Sequence, residues 1–206
     1  MKRLIAIVLL LASCAFAQKV ELVPATPTAP ETITQAVADR TLRFTVADDT
    51  IRLWPAKSMA GDKNASDGAL YPDIPAGAFA GVIAFSADAH DFRGQKIPAG
   101  TYTLRYASLP ADGNHLGVAP TPDFFLLVPV ANDADPSAPI AYPRLIKLST
   151  RASGTNHPAV FSLAAAAKNP PAVTTNDKGH VAVTFEVNVN GKTVPVALIV
   201  SGVAEE

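Results

Sequence analysis

The chain has 206 residues, 49% hydrophobic and 17% charged, with 18 Pro and 12 Gly, a balance that excludes disordered and collagen-like classes. Its 17 Lys+Arg against 18 Asp+Glu leave a formal charge of −1 with no block of like charge, which argues against a nucleic-acid surface. The single Cys excludes a disulfide framework and Cys-rich zinc or iron–sulfur sites.

The N-terminus reads as an export signal. Lys2 and Arg3 are followed by the apolar run Leu4–Ala12 and by Ala15-Phe16-Ala17, an A-x-A cleavage signal ahead of Gln18. The run falls far short of the ~20 apolar residues of a spanning helix, so no transmembrane segment is predicted. Leu11-Ala12-Ser13-Cys14 also reads as a lipobox, in which Cys14 would be acylated. Both readings predict a protein exported to the periplasm or beyond; lipidation of Cys14 would add an outer-membrane anchor. Residues 1–17 are thus assigned to the signal and 18–32 to a Pro/Thr/Ala-rich tether. Residues 33–206 are assigned to one domain.

Along that domain the dominant period is two. Leu42, Phe44 and Val46 alternate with Thr41, Arg43 and Thr45, and the chain resumes after Asp48-Asp49 with Ile51, Leu53 and Trp54, predicting a hairpin. Val82–Phe85 and Thr101–Tyr106 follow as strands, with Tyr102, Leu104 and Tyr106 on one side. Phe124–Val130 is continuously apolar, as a strand buried on both faces is. Asn190-Gly191 suits a type I′ turn that pairs Val187 with Val194, Phe185 with Val196, Val183 with Leu198 and Val181 with Val200. Pro195 then predicts an edge or bulge on the outer side of Val194–Val200. Short helices are predicted over Pro143–Ala152, stopped by Gly154, and over Glu31–Asp39. The fold class is therefore all-β: an antiparallel β-sandwich or jelly-roll-like domain with one or two short helices.

The sequence contains no G-x-S-x-G, S-x-x-K, H-E-x-x-H, G-x-x-x-x-G-K-[ST] or G-x-G-x-x-G. No catalytic or cofactor-binding residue is assigned. Two histidines stand among carboxylates or amides. His90, in Asp88-Ala89-His90-Asp91, and His115, in Asp112-Gly113-Asn114-His115, would supply a divalent metal site if Asp88, His90, Asp91 and His115 converged; otherwise these are solvated turns. His157 and His180 read as structural or exposed. Asn132-Asp133-Ala134-Asp135 carries oxygen ligands in a tight turn but lacks the Gly and distal Glu of a calcium loop, and reads as an Asx turn. Trp54 and Tyr71 are either core residues or exposed sugar platforms, with burial the default. The longest predicted loop, Asn64–Gly77, is the place for a ligand lip or a disordered flap.

The string Phe92-Arg93-Gly94-Gln95-Lys96-Ile97-Pro98-Ala99-Gly100-Thr101-Tyr102-Thr103-Leu104 resembles one that recurs in exported bacterial β-sandwich proteins, transthyretin-like (prealbumin-like) modules among them. Thr50–Trp54 and Asp112–Pro120 are similar to stretches of uncharacterised exported proteins from environmental bacteria. The resemblance implies export and a β fold and carries no catalytic residue over. The expected function is a non-catalytic envelope or extracellular module that binds a protein, a glycan or the wall, with metal binding through Asp88, His90 and Asp91 as the alternative.

Overall fold

The alternating pattern becomes twelve strands among the described residues, 19–59, 68–109 and 121–204 of the computed structural model. In chain order these are β1 (Glu21–Pro24), α1 (Glu31–Ala36), β2 (Arg40–Val46), β3 (Asp49–Pro55), β4 (Phe79–Phe85), β5 (Ala89–His90), β6 (Lys96–Ile97) and β7 (Gly100–Ser108). The rest are β8 (Asp123–Pro129), α2 (Tyr142–Ser153), β9 (Val160–Ala164), β10 (Ala172–Thr175), β11 (Val181–Val189) and β12 (Lys192–Ser201). Ten strands form one sheet in the order β1-β2-β3-β4-β7-β8-β9-β12-β11-β10, and β5 pairs with β6. Every strand pairing is antiparallel. The sheet curls until β3 meets β11, and Met59 bridges to Val189 across the gap. Its concave face encloses Phe44, Ile51, Leu53, Phe125, Phe185 and Leu198, so one sheet supplies both sides of the core. The all-β antiparallel class with two short helices is what the chain adopts. Among the described residues, no helix is long and apolar enough to cross a membrane.

The continuous apolar run of β8 has the cause its sequence implied. Phe125 and Leu127 point into the main core, while Phe124, Leu126 and Val128 pack outward beneath Leu145, Ile146 and Leu148 of α2. That helix begins with Pro143 in its first turn and stops at Gly154, whose φ of 66° lies in the left-handed region that favours glycine over a residue with a Cβ. Burying Leu145 alone is worth about 2 kcal/mol.

Covering β8 also covers β7. The sequence placed Thr103 and Arg105 on a polar face, yet both are fully buried. Arg105 meets Asp133 in a two-pronged ion pair, Nε–Oδ2 2.8 Å and Nη2–Oδ1 2.6 Å. Its remaining N–H groups donate to the carbonyls of Gly77, Ala138 and Asp135 at 3.1, 2.9 and 2.6 Å. All five guanidinium donors are therefore satisfied. Thr103 Oγ1 donates to Asp133 Oδ2 at 2.6 Å, and the guanidinium lies 5.4 Å from the Phe79 ring centroid. Asp133 is thus a buried counter-ion, which neither the calcium-loop nor the Asx-turn reading of Asn132–Asp135 anticipated. Asp135 does make the turn, accepting from Ser137 N–H and Oγ.

The C-terminal hairpin turns at Asn190-Gly191, with φ of 48° and 83°, and pairs Val187–Val194, Phe185–Val196 and Val183–Leu198 as the sequence predicts. The fourth pair differs: a bulge sets Val181 opposite Ser201 rather than Val200. Pro195 stands where β12 runs past the end of β9, whose Ala164 pairs with Ala197. The predicted open side therefore holds for Val194–Val196 but not for Ala197 and Leu198.

The described part of the predicted tether, residues 19–32, is not free. β1 pairs with β2, Pro27 is buried, and Trp54 Nε1 donates to the Ala25 carbonyl at 2.8 Å. An indole N–H buried at 3% exposure needs an acceptor, and this segment supplies it.

Arg105→Met or Asp133→Asn leaves a buried charge or its neighbours unpaired, and each is expected to cost about 3–5 kcal/mol in urea unfolding. The double variant Arg105→Met/Asp133→Leu is expected to recover part of that loss. Ala47 closes the β2–β3 turn with φ of 51°, a region L-residues occupy at a cost of about 1 kcal/mol. Ala47→Gly should therefore raise the unfolding midpoint slightly.

Candidate functional site

The residues singled out from sequence diverge in the fold. Asp91 is fully buried, and its carboxylate accepts from Arg93 N, Gln95 N, Gln95 Nε2 and Val160 N at 3.0, 2.8, 2.7 and 3.1 Å. With both oxygens bonded to protein donors, it ties the β5–β6 hairpin to β9. Asp88 stays at the surface, where Lys96 Nζ at 2.6 Å and Ala99 N at 3.0 Å hold its carboxyl below the ordinary range. His90 is exposed on β5, opposite Lys96. Among the described residues, no group of three or more His, Cys, Asp or Glu is placed to hold a metal. His115 and Cys14 lie outside the described residues. His157 is exposed, while His180 sets Nε2 3.1 Å from the Val203 carbonyl and its ring edge-on to Phe92.

Asp88 and His90 nevertheless share a groove of about 430 Å³ at one end of the sheet. Val46, Ile51 and Val200 line it together with Asp48, Asp49 and Gly202. Asp49 is committed to structure: its Oδ1 accepts from Ser86 N, Ser86 Oγ and Ala87 N at 2.8, 2.7 and 3.0 Å.

A second groove of about 550 Å³ lies on the outer face of β1–β3, lined by Lys19, Glu21, Arg43, Phe44, Thr45, Thr50 and Arg52. Glu21 is paired with Arg43, and Lys19 Nζ is 3.3 Å away; Arg43 and then Lys19 hold its carboxyl below the ordinary range. The sequence alternation sets Arg43 on the side of β2 opposite Leu42, Phe44 and Val46 and assigns Arg52 no role. The signal was available in the hairpin register, which sets Arg43 opposite Arg52.

The aromatic residues weighed as platforms are interior. Trp54 is 3% and Tyr71 8% exposed. The described part of the predicted Asn64–Gly77 lip turns inward, with Ile74 fully buried. Tyr71 Oη donates to the Ala164 carbonyl at 2.5 Å and accepts from Ala197 N at 2.9 Å, bridging β9 and β12. Its own N–H, that of Leu70, and Tyr106 Oη all donate to buried Asp123, at 2.8, 3.0 and 3.0 Å. Tyr106 Oη also lies 3.0 Å from the Tyr71 carbonyl.

Fold and surface define an all-β scaffold whose polar groups either pin loops or line open surface grooves. No protein-family model, curated protein or solved structure matches the chain.

Burial, with the Asp123 charge beside it, raises the Tyr106 phenol far above its ordinary 10.0, and burial raises Tyr71 as well. The folded state thus keeps protons that the unfolded chain releases near pH 10. This stabilisation is whole below pH 10 and is lost as pH climbs beyond it. Thermal midpoints should fall steeply between about pH 9.5 and 12, and less steeply in Tyr106→Phe. Equal slopes in the two proteins would contradict this account.

Proposed function

We propose that the protein is an exported, non-catalytic binding module of the cell envelope. The observation that carries this reading is where its charged side chains go. Arg105, Asp91, Asp123 and Asp133 are buried, and their hydrogen bonds run to loop backbone and to one another. They hold loops rigid on the sheet rather than converge on a cavity. Of the acid groups in the two surface grooves, Asp88 and Glu21 are ion-paired in the open and Asp49 is bonded to Ser86 and Ala87. Catalytic groups, by contrast, are set apart by burial beside a cleft and raised or matched pKa values. The Lys2–Ala17 segment supports export, and Cys14 offers an acylation site.

Two measurements test the reading. Expressed in a bacterial host with its natural N-terminus, the protein should reach the envelope fraction, cleaved after Ala17. If the chain begins instead at Cys14 with acyl mass, Cys14→Ala should release it from membranes. Purified protein should be retained on isolated envelope polysaccharide while leaving ester, glycoside and phosphate substrates unturned. Turnover abolished by a substitution in either groove would replace the binding-module reading with an enzymatic one.

A further inference from the structure

The outer face of β1–β3 carries a charge arrangement that the fold does not need. Arg43 and Arg52 are directly opposite partners. Only Ala47 and Asp48 separate the Val46–Asp49 pair at the turn, so hydrogen-bonded and non-hydrogen-bonded pairs alternate outward from it. Arg43–Arg52 falls on a non-hydrogen-bonded position, where side chains stand closest. Like charges set so destabilise a sheet. Glu21, opposite Arg43 on β1, offsets one of them and is shared with Lys19. On the other side of Arg52 is Ala84, too short to carry a counter-charge. Among the described residues, Arg52 makes no ion pair and no side-chain hydrogen bond. The Thr45–Thr50 pair sits next along the same two strands, within the same groove.

Resting on the envelope-binding reading, we propose that this groove binds an acidic polysaccharide, a uronate carboxylate seating between Arg43 and Arg52. Guanidinium groups present paired N–H donors that match a carboxylate, and charge-assisted bonds of this kind are the strong ones. Thr45 and Thr50 place hydroxyls beside that position for sugar hydroxyls. The shape also favours a glycan over a membrane. Anionic lipid surfaces hold proteins through clusters of several cations. Here Glu21 stands among Lys19, Arg43 and Arg52, in a chain of net charge −1, and the feature is a groove with room for sugar rings.

The test is calorimetric titration of the purified protein at low salt with oligogalacturonate. Neutral oligoglucan of equal length, inorganic phosphate and phosphatidylglycerol-containing vesicles serve as separate arms. Oligogalacturonate should bind, added salt should weaken it, and neutral oligoglucan should not bind. Arg52→Gln should weaken binding at least tenfold and Arg43→Gln/Arg52→Gln should abolish it. Without ligand, Arg52→Gln should keep or raise the thermal midpoint, since the repulsion is relieved, and the double variant, which also gives up the exposed Glu21–Arg43 pair, should fall by no more than a few degrees. Ala84→Asp, which gives Arg52 an internal carboxylate, should raise the midpoint and block binding, separating loss of the site from loss of the fold. No binding at low salt, or equal binding by the double variant, overturns the proposal. So does binding to vesicles alone, which reassigns the groove to lipid headgroups, or phosphate binding as tight as the oligosaccharide. If envelope polysaccharide is retained by protein that ignores oligogalacturonate, this site falls while the binding-module reading stands; if neither is bound, both fall.

Discussion

The buried Arg105–Asp133 pair is the constraint around which the outer half of the structure is arranged. Two charges removed from water cost several kcal/mol each, and the cost is offset only when every remaining donor and acceptor is occupied. Here the occupants are loop carbonyls: Gly77 before β4, and Asp135 and Ala138 between β8 and α2. The loops therefore cannot move away without stranding a guanidinium. Gly77 shows how tight this is, since a Cβ there would stand 2.2 Å from the Ile140 carbonyl oxygen, and its φ of 76° favours glycine anyway. The same strand, one residue on, presents Tyr106 to Asp123 and so fixes the Leu70–Tyr71 segment. Adjacent residues of β7 thus anchor loops on opposite faces of one sheet.

Period-two alternation made most strands legible, because a strand with one buried face must sort its side chains. The C-terminal hairpin was readable to the residue for its first three apolar pairs. The fourth failed at a bulge, where one extra residue leaves no mark in composition. The larger misreading, of Arg105 and the Asn132–Asp135 turn, has one cause. A polar residue on the far face of a strand reads as solvated unless something covers that face. The cover here, α2 with the loop before it, lies decades of residues downstream of β7 in the chain. The clue was β8 itself, apolar on both faces, since whatever covers β8 must extend over its neighbour.

The Asp88–Asp91 cluster parted for a local reason. Asp91 opens a tight turn whose N–H groups, from Arg93 and Gln95, need an acceptor, and its carboxylate is the nearest one. A side chain so used faces inward, whereas Asp88, paired with Lys96, faces out. Sequence spacing placed the groups together; the turn's unpaired backbone donors pulled them apart.

The N-terminal segment connects processing to surface chemistry. Because β1 is sheet rather than tether, Lys19 and Glu21 belong to the cationic groove while standing beside the predicted cleavage point. Cleavage after Ala17 would create an α-amino group at Gln18, one residue from Lys19, and remove Lys2 and Arg3 from the chain. That amine, with an ordinary pKa near 8, would be largely protonated at neutral pH. Export would then make the protein as a whole more acidic, while adding a positive charge one residue along the chain from Lys19, which lines the groove beside Arg43 and Arg52.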